Sequence, residues 1–155
     1  MSVVTWAERS ALTALMHDQL WIYPVMLTLH AIGLAFAAGV SAAIDLRVLG
    51  AAVALPLAAM RRTLPVVYLA LAINAISGIA LVFNDPGRTL VDPVFYVKLT
   101  FLTFALVTLY GMTRSIFDGS DTRTPMRGKV LASASLLFWL GTIVTGRLLP
   151  YGFFR

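Results

Sequence analysis

Residues 21–50, WIYPVMLTLHAIGLAFAAGVSAAIDLRVLG, decide the fold of this chain. The stretch is long and apolar enough to cross a bilayer, since a spanning helix needs about 20 predominantly apolar residues. It carries His30 near its middle and ends with Asp45 and Arg47. An ionisable side chain at bilayer depth is costly and usually faces a bundle interior or a polar cavity. The stretch therefore predicts a membrane helix with a polar site built around His30.

The composition of the whole chain indicates the same class of protein. Of the 155 residues, 59% are hydrophobic and 12% are charged, and the mean hydropathy is +0.86, whereas soluble domains average roughly 25% charged residues. The chain has no cysteine, which excludes disulfides, thiolate metal sites and a cysteine nucleophile. The formal net charge is +5, but no basic run or RNA-binding motif accompanies it. The expected partner is therefore lipid, not nucleic acid.

Four segments are predicted to cross the membrane, namely residues 21–44, 64–83, 94–113 and 130–152. The connections NDPGRTLVDP and FDGSDTRTPMRG are rich in Asp, Gly and Pro, as turns are. Residues 48–60 are too few to span and contain Pro56. We expect them to form a re-entrant or surface turn, or an extension of the first helix that is broken at the proline.

The first 20 residues lack the basic start and apolar core of a signal peptide. They combine apolar positions with charged and polar ones, which predicts a short amphipathic helix that lies at the membrane interface. The apolar residues are Val4, Leu12, Leu15 and Met16, and the polar ones are Glu8, Arg9, His17 and Asp18. We therefore predict an all-α integral membrane protein, a four-helix bundle with an N-terminal interfacial helix. Residues 1–155 are expected to form a single membrane domain.

The distribution of basic residues predicts the orientation of the bundle. Seven basic residues lie in the first and third connections, and three lie in the N-terminal segment, the second connection and the C-terminus. The seven are Arg47, Arg61, Arg62, Arg114, Arg123, Arg127 and Lys129, and the three are Arg9, Arg88 and Arg155. The positive-inside rule then predicts that both termini are periplasmic in a bacterial inner (cytoplasmic) membrane.

This orientation converts sequence positions into depths. At 1.5 Å per residue, His30 lies about 13 Å inside the first helix and Lys98 about 6 Å inside the third. Arg147 lies one or two turns from the outer end of the fourth helix, so these three residues are expected to share the outer leaflet. Asn74 falls near the midplane. Asp45 falls at the inner interface, where we expect a structural role.

His30 is the strongest candidate for a metal ligand. A neutral imidazole at this depth needs a partner for each ring nitrogen, and an iron together with a hydroxyl or carbonyl would satisfy both. Its helical face also holds Tyr23, Met26 and Gly33, and the side chains inward of His30 are small. Such a face suits a groove for a flat cofactor such as haem. It also suits close helix packing around a hydrogen-bonded structural histidine.

The second axial position of such an iron has no obvious histidine. His17 is 13 residues from His30, or about 20 Å along a continuous helix, whereas two ligands across one metal lie only about 4 Å apart. Only a bend in the helix would bring His17 close to His30. The sixth position would otherwise be empty, or filled by Met26, Lys98 or a neighbouring subunit.

Lys98 and Arg147 have two interpretations. Their long cationic side chains can extend to water at the outer interface. Alternatively, they can form an anion clamp for haem propionates, a quinone carbonyl or an anionic lipid head group. Asn74 forms a small polar face with Ser77 and Gly78, which suits hydrogen bonds between helices or the wall of a cofactor pocket.

Four short stretches carry a family resemblance: LHAIG (29–33), DLRVLG (45–50), FYVKL (95–99) and GR (146–147). Together they resemble a small bacterial four-span membrane family of unknown function. More distantly, the chain is similar to copper-resistance D membrane proteins and to HemJ-type protoporphyrinogen oxidases. The latter are small four-helix proteins that bind haem b, and a first-helix His and a third-helix Lys are important to their function.

The distant resemblance implies that His30 is an axial haem ligand and that Lys98 is its partner residue. One departure is visible, because the third-helix run TFALVTLYGMT lacks the histidine that the HemJ type has after its lysine. This departure counts against protoporphyrinogen oxidase activity more than against haem binding.

We therefore expect a membrane haem b protein that transfers electrons, or anchors a partner, between a periplasmic protein and quinone. It is expected to be such a subunit and not a stand-alone enzyme. His30 would ligate iron, and Lys98 and Arg147 would hold propionates or a quinone. The remaining predicted pocket residues are Tyr23, Met26, Gly33 and Asn74.

Two alternatives remain open from the sequence. One is a cofactor-free accessory subunit of a larger membrane complex. The other is a copper-handling protein, suggested by His30 with Met26, Met60 and Met112. The expected partners are the lipid bilayer, other membrane or periplasmic subunits, and a second copy of the chain.

Overall fold

The computed structural model describes residues 3–51, 54, 56–117 and 125–151. These ranges contain helices and no strand, which confirms the all-α prediction. The helices are α1 (Val3–Glu8), α2 (Ala11–Asp18), α3 (Ile22–Leu49), α4 (Leu57–Asn84), α5 (Pro86–Thr89), α6 (Pro93–Phe117) and α7 (Pro125–Leu148), followed by a 3-10 turn (Leu149–Tyr151).

Four helices, α3, α4, α6 and α7, are long and apolar enough to cross a membrane. The chain is therefore a multi-pass membrane protein, as its composition predicts. The helices extend past several of the predicted spans: α3 continues to Leu49 and α4 begins at Leu57. Hydropathy marks only the part of a helix that lies in hydrocarbon, so helix ends in the polar interface fall outside the predicted spans.

Residues 48–60 were predicted to form a turn or to extend the first helix, and the structure shows a short extension. Helix α3 ends at Gly50, whose φ of 90° places it in the left-handed region, where glycine is the favoured residue. Pro56 then precedes the first residue of α4, a position where its fixed φ suits a helix start. The first helix is thus ended by the glycine, not by the proline. Residues 52, 53 and 55 lie outside the described ranges.

The N-terminal segment forms two short helices instead of the single predicted one. Ser10 separates them and caps α2, because its Oγ accepts a hydrogen bond of 3.2 Å from the Thr13 N–H. Helix α1 contacts α5, and α2 contacts α4. The Trp6 ring also meets the Phe83 ring edge-on at 6.2 Å. We call this the capped end of the bundle, defined by α1, α2, α5 and the 3-10 turn.

The long helices pack in the order α4, α3, α7, α6. Helices α3 and α4 touch backbone to backbone, because a Cβ on Gly33 would lie 2.7 Å from the Ala70 carbonyl oxygen. Small residues allow such close approach in membrane bundles. In contrast, the described parts of α4 and α6 make little contact with each other. This leaves a space between α4 and α6, in front of α3 and α7.

Most hydroxyl groups in the spans satisfy themselves within their own helix. Ser41 Oγ donates to the Ala37 carbonyl at 2.7 Å, and Thr142 Oγ1 donates to the Phe138 carbonyl at 2.8 Å. These bonds to the preceding turn let a polar residue sit in an apolar environment without a partner on another helix. A side chain that forms a hydrogen bond to another helix is therefore unusual in this fold and marks a candidate site.

Candidate functional site

A cavity of about 460 Å³ lies at the capped end, between α4 and α6. Its walls come from α3, α4, α5, α6 and the end of α7. Apolar side chains including Leu27, Ile79 and Leu102 supply much of the surface. The polar lining includes His30, Asn74, Asp85, Arg88, Asp92 and Lys98. A concave, mostly apolar space with a few convergent polar groups is the usual form of a small-molecule site.

The His30 imidazole is fixed by α4 through one of its nitrogens. His30 Nδ1 lies 2.9 Å from the Asn74 carbonyl oxygen and 3.3 Å from Ser77 Oγ. A carbonyl oxygen can only accept, so Nδ1 is the donor, and in the neutral ring Nε2 carries the lone pair. The Ser77 hydroxyl donates to the Ile73 carbonyl at 2.6 Å, which leaves its oxygen free to accept from Nδ1.

A second bond returns from Asn74 to His30. The Asn74 side-chain Nδ2 donates to the His30 carbonyl oxygen at 2.8 Å. A carbonyl oxygen has two lone pairs. The His30 carbonyl can therefore accept a bond within its own helix and a second bond from Asn74. The two residues therefore bind each other in both directions across the α3–α4 interface.

Lys98 approaches the other ring nitrogen from α6. Its Nζ lies 3.2 Å from His30 Nε2, and because an ammonium has only donors, Nε2 is the acceptor. This contact joins α3 and α6, which lie far apart in sequence. This short distance brings together two of the three residues that were predicted to share the outer leaflet.

Two glycines make room for this pair. A Cβ on Gly78 would lie 3.0 Å from His30 Cε1 and 3.3 Å from its Nδ1. A Cβ on Gly146 would lie 3.6 Å from Lys98 Cε, an ordinary contact distance. Gly78 thus keeps the imidazole against α4, while Gly146 gives the Lys98 side chain a smooth surface on α7.

Among the other predicted pocket residues, the structure brings Tyr23 and Asn74 to the cavity. Met26 and Gly33 do not line it. Gly33 packs instead against α4, with a Cβ position only 3.1 Å from Asn74 Cβ. Both residues lie on α3 near the His30 face, but the α3 residues that line the cavity are Tyr23, Leu27 and His30.

Arg147 is also outside the cavity, which corrects its predicted pairing with Lys98. Its side chain is exposed, and the neighbouring Gly146 is the residue that faces Lys98. Successive residues on a helix point about 100° apart, so a shift of one position turns the guanidinium away from the cavity. The charge that Arg147 was expected to supply comes instead from Arg88.

Three charged residues of the cavity are not predicted as site residues from the sequence: Asp85, Arg88 and Asp92. All three lie in the connection NDPGRTLVDP, which reads as a turn. Asp85 and Asp92 cap α5 and α6, accepting from the backbone N–H groups of Arg88 (3.1 Å) and Val94 (2.9 Å). An Asp before Pro is a helix-start signal, and applying it here would have placed both carboxylates at helix ends beside the bundle.

His17 does not join His30. It lines a neighbouring open depression at the capped end together with Glu8, and this depression shares Asn84 and Asp85 with the His30 cavity. The helix is interrupted after Asp18, but His17 is not among the residues that line the His30 cavity. The structure therefore gives no second histidine for an iron at His30.

The methionines named for copper do not gather around His30 either. Met60 and Met112 are buried with Ile44 in a core cluster toward the other end of the bundle. Within the described ranges no group of three His, Asp or Glu side chains is arranged to hold a metal ion. Asp45 lies near the same cluster, 1% exposed and facing Ser135 of α7, in keeping with a structural role.

Comparison of the chain with protein-family models, with curated proteins and with solved structures finds no match.

Proposed function

We propose that this protein binds haem b in the capped-end cavity and serves as an electron-transfer or membrane-anchor subunit between a periplasmic partner and quinone. The observation that carries the proposal is the orientation of His30. Its Nδ1 donates to the Asn74 carbonyl at 2.9 Å, so Nε2 is the nitrogen that carries the lone pair a metal would need. Metal-ligating histidines commonly have this arrangement, with the second nitrogen bound to a carbonyl or carboxylate.

The cavity residues fit a haem in three respects. The wall is largely apolar, as a porphyrin ring requires. Gly78 leaves the imidazole free of side-chain crowding. Lys98 and Arg88 line the same cavity, and either cation can hold a propionate.

One contact must change for a metal to bind. Lys98 Nζ bonds the Nε2 lone pair at 3.2 Å, so the ammonium has to leave that nitrogen. The lysine side chain is flexible, and Gly146 beside it offers no obstacle. Lys98 would then be free to pair with a propionate.

A bound haem would supply one-electron redox chemistry at this depth. The chain's own residues would hold its ring, keep water away from it and neutralise its carboxylates. In the proposed orientation the capped end faces the periplasm, where a soluble partner can reach it. This orientation follows from the excess of basic residues in the first and third connections of the sequence.

The absorption spectrum of the purified protein tests the proposal. We expect a Soret band that shifts on reduction, either as purified or after titration with haem. His30→Ala should lose the band, and His17→Ala should retain it, since His17 lies in a different depression. A colourless protein that also fails to take up added haem would refute the proposal, as would an unaltered spectrum in His30→Ala.

A second candidate function, a cofactor-free accessory subunit, is favoured by the His30–Lys98 contact itself. Both ring nitrogens already have partners on the protein, Asn74 and Lys98. In this case the contact is a structural link between α3 and α6. The candidate predicts a colourless protein that purifies with a stable membrane partner. The Lys98→Met variant, which lacks the link between α3 and α6, would dissociate from that partner.

A further inference from the structure

Asp92 has a buried oxygen that no described residue satisfies. The residue is 3% exposed, and it caps α6 through Oδ1, which accepts from the Val94 N–H at 2.9 Å. Its other oxygen, Oδ2, is buried and without a hydrogen-bond partner in the described part of the chain. An unpaired buried carboxylate oxygen is unfavourable. Because Asp92 lines the cavity, a donor on a cavity ligand can supply the missing bond.

The charges around the cavity indicate what kind of ligand carries that donor. Two cations, Arg88 and Lys98, and two carboxylates, Asp85 and Asp92, line it. Such a balanced set suits a head group that carries one charge of each sign, since each charge then finds an opposite partner. The arginine guanidinium is well shaped to bind phosphate, and a carboxylate binds an ammonium.

The position of the cavity indicates that this ligand is an amphiphile. Asp92 precedes the first residue of α6, whereas Leu102 lines the cavity ten positions further along, or about 15 Å deeper. The charged residues of the NDPGRTLVDP connection therefore lie at the shallow end, and Leu27, Ile79 and Leu102 extend the site toward hydrocarbon. A molecule with a charged head and an apolar tail matches both ends.

We propose that the shallow end of the cavity binds the head group of a zwitterionic phospholipid with a primary ammonium, of the ethanolamine type. The phosphate lies beside Arg88, and the ammonium donates to Asp92 Oδ2. The site does not depend on the proposed haem function, because His30 and Lys98 lie deeper than Asp92. A protein that never binds haem would still show it.

The test compares two lipids that share acyl chains and net charge but differ in N–H donors. Phosphatidylethanolamine has an ammonium with three donors, and phosphatidylcholine has none. Retention of each lipid by the full chain can be measured by native mass spectrometry after release from mixed-lipid nanodiscs. We expect about tenfold stronger retention of phosphatidylethanolamine, the effect of one hydrogen bond to a charged group.

Asp92→Asn is the informative variant. Its side-chain oxygen can still cap α6, while the unpaired oxygen becomes an amide donor. We expect an unchanged melting temperature and the loss of the preference between the two lipids. Asp85→Asn, on an exposed residue of the same cavity, should keep the preference. Arg88→Gln should weaken retention of both lipids in parallel.

A competition experiment distinguishes binding of a whole lipid from binding of its soluble head group. Glycerophosphoethanolamine, which has no acyl chains, should not displace the lipid at equal concentration, and effective displacement would mean that a soluble phosphate ester is the ligand. Equal retention of both lipids by the native chain would overturn the proposal. So would a preference that survives in Asp92→Asn, because a trapped water would then be the partner of Oδ2.

Discussion

His30 and Asn74 exchange two hydrogen bonds across the α3–α4 interface. Nδ1 of His30 donates to the Asn74 carbonyl at 2.9 Å, and Nδ2 of Asn74 donates to the His30 carbonyl at 2.8 Å. The first bond uses the Asn74 backbone and the second uses its side chain. Substitution of Asn74 can therefore remove one bond while the other remains.

Asn74→Ala is expected to destabilise the bundle but to keep His30 in place. The lost bond lies between membrane helices, where such bonds contribute about 0.6 kcal/mol on average and up to about 1.7 kcal/mol. Unfolding by SDS titration in mixed micelles would measure the change. Ser77→Ala is a suitable comparison, because its hydroxyl also bonds within α4. A haem spectrum altered by Asn74→Ala as severely as by His30→Ala would contradict this division of roles.

Gly33→Ala should destabilise the α3–α4 interface, because its new Cβ would lie 2.7 Å from a backbone oxygen of Ala70 that cannot rotate away. Overpacking of this kind costs about 1–3 kcal/mol. Gly39→Ala is the matched control on the same helix, since nothing lies within 4 Å of its Cβ position. It should be neutral or stabilising by up to about 1 kcal/mol through helix propensity. Equal melting temperatures for the two variants would count against the close packing of α3 and α4.

Gly78→Ala should disturb His30 more than it disturbs the fold. A Cβ there would lie 3.0 Å from His30 Cε1, so the ring must move and its alignment with Asn74 suffers. Loss of such a positioning contact typically weakens metal binding about 10–100-fold. Haem titration followed by absorption would measure the loss, with Gly39→Ala as the control. Unchanged haem affinity in Gly78→Ala would show that the imidazole is not held by this contact.

Two glycines of α7 should respond differently to the same change. A Cβ on Gly141 would lie 2.6 Å from the Phe101 ring, whereas one on Gly146 would lie 3.6 Å from the Lys98 side chain. We expect Gly141→Ala to lower the melting temperature as the ring is displaced, and Gly146→Ala to leave it nearly unchanged. A scanning calorimetry or fluorescence melt in detergent would show the difference. The reverse order would indicate a different register between α6 and α7.

The sequence predicts the fold well and the site only partly. Composition and apolar run lengths are enough to identify four membrane helices, because the bilayer imposes both. Position along a helix is also predictable, and His30 and Lys98, which are both predicted in the outer part of their spans, do meet. The rotation of a helix about its own axis cannot be predicted in this way, since packing against neighbouring helices sets it. This is why Arg147 was expected in the cavity and Gly146 occupies its place.

The mouth of the cavity is not predictable from the sequence for a different reason. The composition of its connection indicates only a turn, and turn residues are expected to face solvent. Arg88 is exposed, and its guanidinium donates to the Pro150 carbonyl, whereas Asp92 is buried and placed by its capping of α6. The first contact joins residues 62 apart in sequence, so no local pattern contains it.

The weak contact between α4 and α6 has a consequence for how a ligand arrives. The pairs α3–α4 and α6–α7 are each packed closely, and they meet chiefly where α3 lies against α7. The two helix pairs are thus joined along the α3–α7 contact, and the bundle is least closely packed between α4 and α6. We therefore expect a hydrophobic ligand to enter from the bilayer between α4 and α6, since neither packed helix pair would have to separate.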